Sequence, residues 1–410
     1  MTTTDVRVPA ADQWDLFYDR LERAFGGPPE PEEERRLSRL VTEPERLIAA
    51  WDGPELVGTA GAFSFRMTVP GGASADVPGV TMVSVQPTHR RRGVLTAMMR
   101  RQLDDFRGRG EPFAVLTASE PAIYGRFGYG VASRQLRGRV DTTRTAFHLP
   151  EGADRVRFRL VAPSEALEVC ERIYAQLVPL RPGMLARMPG WEQEPVLDPP
   201  AGRDGAGPLL CVLAEVDGEV RGYARYATQS GWAPTGPDGT VRLRDVEALD
   251  AVTYAALWGY LSGIDLMSRI VFWSRPMDDA LVQLASDIRR CELAFRDGLY
   301  LRLVDLPAAL SARTYAAPVD VVLDVDDAFC PWNSGRWRLT GDSKGASCVR
   351  TTDPAELAVD VRELGAAYLG GPSLRSMASA GLVTELRAGA LAEASAAFRS
   401  DAEPWLPHRF

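Results

Sequence analysis

Residues 79–106 switch from one hydrophobic period to another across a single short basic loop, and no other stretch constrains the fold as tightly. Val80, Met82, Val83 and Val85 form a β-rich run that stops at Pro87. Beyond it, Leu95, Met98, Met99, Leu103 and Phe106 recur at helical spacing. Between the two lies Arg90-Arg91-Arg92-Gly93. Cations at a helix start meet the positive end of the macrodipole, the wrong sign unless an anion sits there too. A strand, a basic Gly-containing turn and a helix N-terminus together make a cradle of backbone N–H groups and guanidinium forks suited to phosphate. A solvated charge run is the alternative reading, and the placement of Gly93 favours the anion site.

At 410 residues the chain exceeds the size of a single growing core, so two or three domains are expected. A net charge of −8 argues against nucleic acid, and a basic spot in an acidic chain suits a small phosphorylated ligand. The five cysteines are widely spaced with no Cys-x-x-Cys, which fits a reduced cytoplasmic protein without disulfides or a metal site. No apolar run approaches the ~20 residues that span a bilayer, and no apolar leader stands at the N-terminus. His89, His148 and His408 are the only histidines, too few for a mechanism built on histidine. His89 and His148 are expected at the surface.

The spacing predicts a helix over 12–25 with Asp12 as its cap, then a Pro/Glu-rich break before a second helix. Strands are expected over 47–51 and 56–65 around the Asp52-Gly53 turn, then the long strand, the helix after Gly93, a strand over 113–118 and a short helix over 123–127. Leu149-Pro150-Glu151-Gly152 reads as a connector. A second region repeats hairpin, helix and strand without an Arg-x-x-Gly loop where its helix begins, and a third begins with a strand near Leu299. The expected domains are 1–150, 151–298 and 299–410.

Arg90-Arg91-Arg92-Gly93-Val94-Leu95 resembles the pyrophosphate motif Gln/Arg-x-x-Gly-x-Gly/Ala of GNAT N-acetyltransferases, with Leu95 in place of the last small residue. Val83–Leu95, Ser119–Gly130, Val246-Glu247-Ala248-Leu249 through Trp258, Asp297–Arg302 and Tyr368-Leu369-Gly370 together resemble the enhanced intracellular survival (Eis) family, over essentially the whole chain. That resemblance implies an α/β chain: tandem GNAT-type mixed sheets with flanking helices, the second sheet without cofactor, and a C-terminal sterol-carrier-like domain. It further implies a homohexamer that moves acetyl from acetyl-CoA to amines of cationic small molecules, aminoglycoside-like, or to lysines. Val83, Ser84 and Val85 would then offer backbone groups to the pantetheine arm, and Arg91, Arg92, Gly93, Val94, Leu95 and Thr96 would hold the pyrophosphate. Ser119 and Glu120 would line the far side, Tyr124 would be the general acid, and the C-terminal carboxylate of Phe410 the general base. Arg409 stands where the family pattern has an acidic residue, and Glu30, Glu32, Glu33 and Glu34 could restore negative charge there. A lipid- or hydrophobic-ligand carrier with a vestigial acetyl-CoA site is the competing reading.

Overall fold

The computed structural model describes residues 4–410. A mixed sheet opens the molecule in the order Asp5–Arg7, Ile48–Asp52, Glu55–Thr68, Ser74–Val85, Phe113–Thr117, Leu299–Leu303, Gly130–Val131. The hairpin between its second and third strands turns at Gly53 (φ +58°), and the next turns at Gly71-Gly72, where positive φ favours glycine. Its neighbours are antiparallel except Ser74–Val85 and Phe113–Thr117, which run parallel and register only at Gly79 and Val115. Past that pair the two strands splay apart.

The second sheet runs Ala294–Asp297, Arg134–Asp141, Met267–Pro276, Gly239–Ala248, Glu219–Gln229, Leu210–Val216, Arg157–Val161. The first two sheets therefore trade strands. Leu299–Leu303, expected to open the third region, pairs with Phe113–Thr117 in the first sheet, while Arg134–Asp141 crosses to the second. The two crossing strands bracket the second unit in the chain, one before it and one after, so each ties it to the first sheet.

The third sheet, Gly345–Arg350, Gly335–Asp342, Val319–Asp326, Leu357–Asp360, Val383–Glu385, is covered by the helices Val361–Ala367, Leu374–Ser379 and Ala390–Phe398. Its core is continuous with that of the first sheet: Phe63, Phe113, Leu299 and Leu301 belong to the same buried cluster as Leu323, Leu364, Ala394 and Phe398. The second sheet keeps a core of its own around Trp258 and Ile270.

The first helix occupies Trp14–Phe25 and seats Phe17 against Leu47, Trp51 and Leu56. Asp12 does not cap it. A 3-10 turn over Ala11–Gln13 precedes the helix, and no side chain bonds its first N–H groups. All five cysteines are buried thiols.

Candidate active site

A bulge shapes the strand that borders the cleft. Thr59 registers with Ser84 but Gly61 with Thr81, so an extra residue is accommodated at Met82, which takes φ +54°. Thr59 Oγ1 donates to the Met82 carbonyl (2.8 Å) and shares a 2.7 Å hydrogen bond with Ser84 Oγ. The Ser84 hydroxyl is thus engaged. Val83, Ser84 and Val85 lie beyond Gly79 on this strand, where Phe113–Thr117 no longer pairs with it.

The basic loop is held from below and open above. His89 is buried, contrary to its expected surface position, because its ring bonds Asp52 in the first hairpin turn (3.1 Å) and Thr88 (2.8 Å). Arg91 (φ +60°) and Gly93 (φ +84°) then turn the chain through left-handed backbone into the helix Val94–Gly108, whose start no side chain caps. No atom lies within 4 Å of a Cβ built on Gly93, so backbone conformation and not crowding favours glycine there. Arg90, Arg91 and Arg92 are exposed; the ion pairs on either side are His89–Asp52 and Arg101–Asp105, and among the described residues no carboxylate pairs with those three arginines. Leu95 turns inward with Val94 and Met98 onto the core, and Thr96 is exposed in the first turn. The residue that departs from the small-residue pattern points its side chain away from the loop.

Across the cleft, Ser119 and Glu120 are exposed after the strand Phe113–Thr117, and a 3-10 turn over Tyr124–Phe127 follows. The Tyr124 ring meets Tyr129 edge-on at 6.0 Å between centroids. Burial, helped by the charge of Glu120, pushes the Tyr124 phenol up to about 12, so it keeps its proton at neutral pH. Tyr129 is fully buried and its hydroxyl has no partner.

The C-terminal tail brings in the fourth component. Arg181 donates to the Glu403 carbonyl (2.5 Å), the Trp405 N–H to Pro182 (3.0 Å) and the Trp405 indole to Ser274 (3.0 Å), with Arg275 over the indole at 4.8 Å. His408 then lies between Tyr174 and Trp191, at 6.2 and 6.3 Å between ring centres. Phe410 ends against Phe65 (5.3 Å, edge-on), and a Cβ on Gly79 would sit 2.9 Å from its ring. Gly79 is the last residue at which the two splaying strands pair, so the chain terminus reaches the mouth of the cleft.

Arg409 is exposed and sits within electrostatic reach of Glu34 and Glu194. Burial raises the pKa of both carboxyls, and Arg409 counteracts it in each. Glu32 and Glu33 are exposed, and Glu30 accepts a 2.5 Å hydrogen bond from Tyr18. Glu194, Trp191 and His408 carried no periodic signal. Trp191 and Glu194 stand in a 3-10 helix over Trp191–Val196, and His408 in the tail.

His408 makes tail docking pH-dependent. Burial, with Arg187 nearby, lowers its pKa from 6.5 to about 4. Between those values the released tail binds a proton that the docked tail does not, so docking weakens as pH falls through the window and is complete above 6.5. Carboxypeptidase release of Phe410, normalised to a free tail peptide, is expected to rise on the order of tenfold between pH 7 and pH 5. A flat normalised rate would count against it.

Models of the Acetyltransferase (GNAT) domain match residues 5–132 and again 183–303, and that of the Sterol carrier protein domain matches 306–407. An uncharacterized N-acetyltransferase of Streptomyces avermitilis is 62% identical over the whole of both chains. N-acetyltransferase Eis of Mycobacterium bovis is 33% identical over 96% of each chain. The crystal structure of Eis1 from Mycobacterium abscessus superposes with a TM-score of 0.84 at 33% identity, covering both chains completely. Tandem GNAT sheets, a sterol-carrier domain and full-length likeness to these enzymes make this chain an N-acetyltransferase of the Eis family.

Proposed function

We propose that this enzyme transfers acetyl from acetyl-CoA to an amine of a cationic small molecule or a lysine, with Tyr124 as general acid and the α-carboxylate of Phe410 as general base. The observation that carries this reading is the seat of Phe410 beside Gly79, where the strand bearing Val83, Ser84 and Val85 leaves its neighbour. The uncapped helix start and the unpaired Arg91 and Arg92 would take the pyrophosphate, with Gly93, Val94, Leu95 and Thr96 offering backbone N–H groups. Ser119 and Glu120 would line the opposite lip. α-Carboxylates titrate near ~3.5, so the terminus is ionised, attracts an ammonium and can accept its proton as the amine attacks. Tyr124 would then protonate the departing thiolate.

Arg409 favours the ionised forms of Glu34 and Glu194 against their burial, and carboxylates so held would in turn offset its charge toward a cationic acceptor. A homohexameric cytoplasmic assembly is part of the same proposal. No helix among the described residues is long and apolar enough to cross a membrane.

Thiol release from acetyl-CoA across a panel of amines tests the reading. Release with at least one cationic amine is expected; neither release nor acetyl-CoA binding would overturn it in favour of a carrier working through residues 306–407. Tyr124→Phe should lower kcat on the order of tenfold, a modest factor because a thiolate of pKa ~8.5 already leaves well. Acetyl-CoA affinity should hold, and activity should persist to pH 10, since the phenol loses its proton only near 12. An activity loss centred below pH 10 in an otherwise folded enzyme would remove Tyr124 from the acid role.

A further inference from the structure

One loop of the C-terminal domain, 327–333, touches both halves of the transfer site without entering it. On one side it meets the helix that begins at Gly93. Arg100 of that helix stacks over the Phe329 ring at 3.9 Å and donates to the Phe329 carbonyl, and Arg107 lies over Trp332 at 4.5 Å. On the other side it meets the tyrosine turn. The Phe329 ring meets Phe127 edge-on at 5.0 Å, at the end of the turn that Tyr124 begins.

Beneath that turn runs a buried ion pair. Asp327, 1% exposed, accepts two bonds from Arg302 Nη2, at 2.6 and 2.8 Å. The Arg302 guanidinium fills the space left by Gly128, where a Cβ would lie 2.3 Å from Nη1. Its charge acts on Tyr129, whose ring is the edge partner of Tyr124. The loop is itself rigid: Asn333 donates to Leu303, Val304 and Asp327, and the Trp332 indole donates to Val304. A braced loop that grips the helix of the anion cradle and the turn bearing the acid sets the distance between them.

We propose that loop 327–333 positions Tyr124 against the cofactor helix, with Phe329 and Asp327 as positioning residues, so that the C-terminal domain sets the geometry of thiolate protonation. The proposal rests on the reading of Tyr124 as general acid. Small displacements of a catalytic group cost large factors in rate, whereas substrate binding by backbone groups elsewhere is spared. The contacts are also selective. The loop holds the seventh and fourteenth residues of the helix Val94–Gly108 and leaves Gly93 and its first turn untouched.

Steady-state thiol release and acetyl-CoA calorimetry on Phe329→Ala, Phe329→Tyr and Tyr124→Phe, singly and combined, provide the test. Phe329 is only half-buried, so truncating it leaves the core intact. Phe329→Ala is expected to lower kcat about fivefold with the acetyl-CoA Kd changed less than about twofold. Phe329→Tyr, which keeps the ring, should retain wild-type kcat. In the Tyr124→Phe background, Phe329→Ala should cost nothing further, because residues that act as one unit are not additive. Multiplicative losses in the double variant, or an unchanged kcat in Phe329→Ala, would overturn the proposal while leaving the acid assignment standing. A fully active Tyr124→Phe would overturn both. If Phe329→Ala does not fold, Asp327→Asn replaces it under the same criteria.

Discussion

Appending a short alanine tail to Phe410 is expected to lower kcat on the order of 100-fold while leaving acetyl-CoA affinity within about twofold. On the proposed mechanism the extension would convert the α-carboxylate of Phe410 into an amide and so remove both the proton acceptor and the charge that would draw an ammonium to the cleft. It need not disturb the docking, because Trp405, His408 and the Phe410 ring are held by their own contacts. The Val83–Val85 backbone and the loop Arg91–Thr96 lie on other segments and keep their geometry. Kinetics with saturating acetyl-CoA and calorimetry of its binding separate the two effects. Unchanged turnover would remove Phe410 from the mechanism, and a parallel loss of cofactor affinity would mean the added residues obstruct the cleft. Phe410→Leu supplies the control: it retains the carboxylate and loses only the edge contact with Phe65, so its loss should be much smaller.

Gly130→Ala is expected to destabilise the protein by about 3 kcal/mol, at the upper end of overpacking costs. The new Cβ would lie 2.0 Å from the Arg362 carbonyl oxygen and 2.5 Å from the Ala366 nitrogen. Both are backbone atoms of the helix Val361–Ala367, so no side chain can swing aside. The helix cannot slide easily either, since a Cβ on Gly365 would already be 2.5 Å from the Leu301 carbonyl. Two glycines thus let the C-terminal domain's helix rest directly on Gly130–Val131 and on its neighbour, the exchanged strand Leu299–Leu303. Urea unfolding measures the effect. Gly108→Ala, in a helix with nothing within 4 Å of its Cβ, should be neutral or stabilising. A stable Gly130→Ala would show that this seat is loose. Tyr124 stands only six positions away, so the variant should also lose activity.

The strand, basic loop and helix that would cradle an anion were legible because they form one continuous segment: strand period, proline, arginines, glycine and helix period follow one another between Val80 and Phe106. Local backbone preferences and side-chain periodicity dictate such a unit before any distant contact forms. For the tail, a base role for Phe410 is an expectation that the family likeness supplies, whereas its seat depends on Phe65 and Gly79, more than 300 positions earlier.

Length, periodicity and turn chemistry by themselves pointed to several units of strands and helices and to a basic glycine turn at one helix start. Only the tertiary structure decided that Leu299–Leu303 and Arg134–Asp141 change sheets, that His89 is buried on Asp52, and that loop 327–333 braces the tyrosine turn. The physical reason is the range of the forces involved. Hydrogen-bond period and turn chemistry act over a few residues and leave a mark on the sequence. Strand partners and docking sites are chosen by whichever distant surfaces bury most apolar area together, and that choice leaves no local pattern to read.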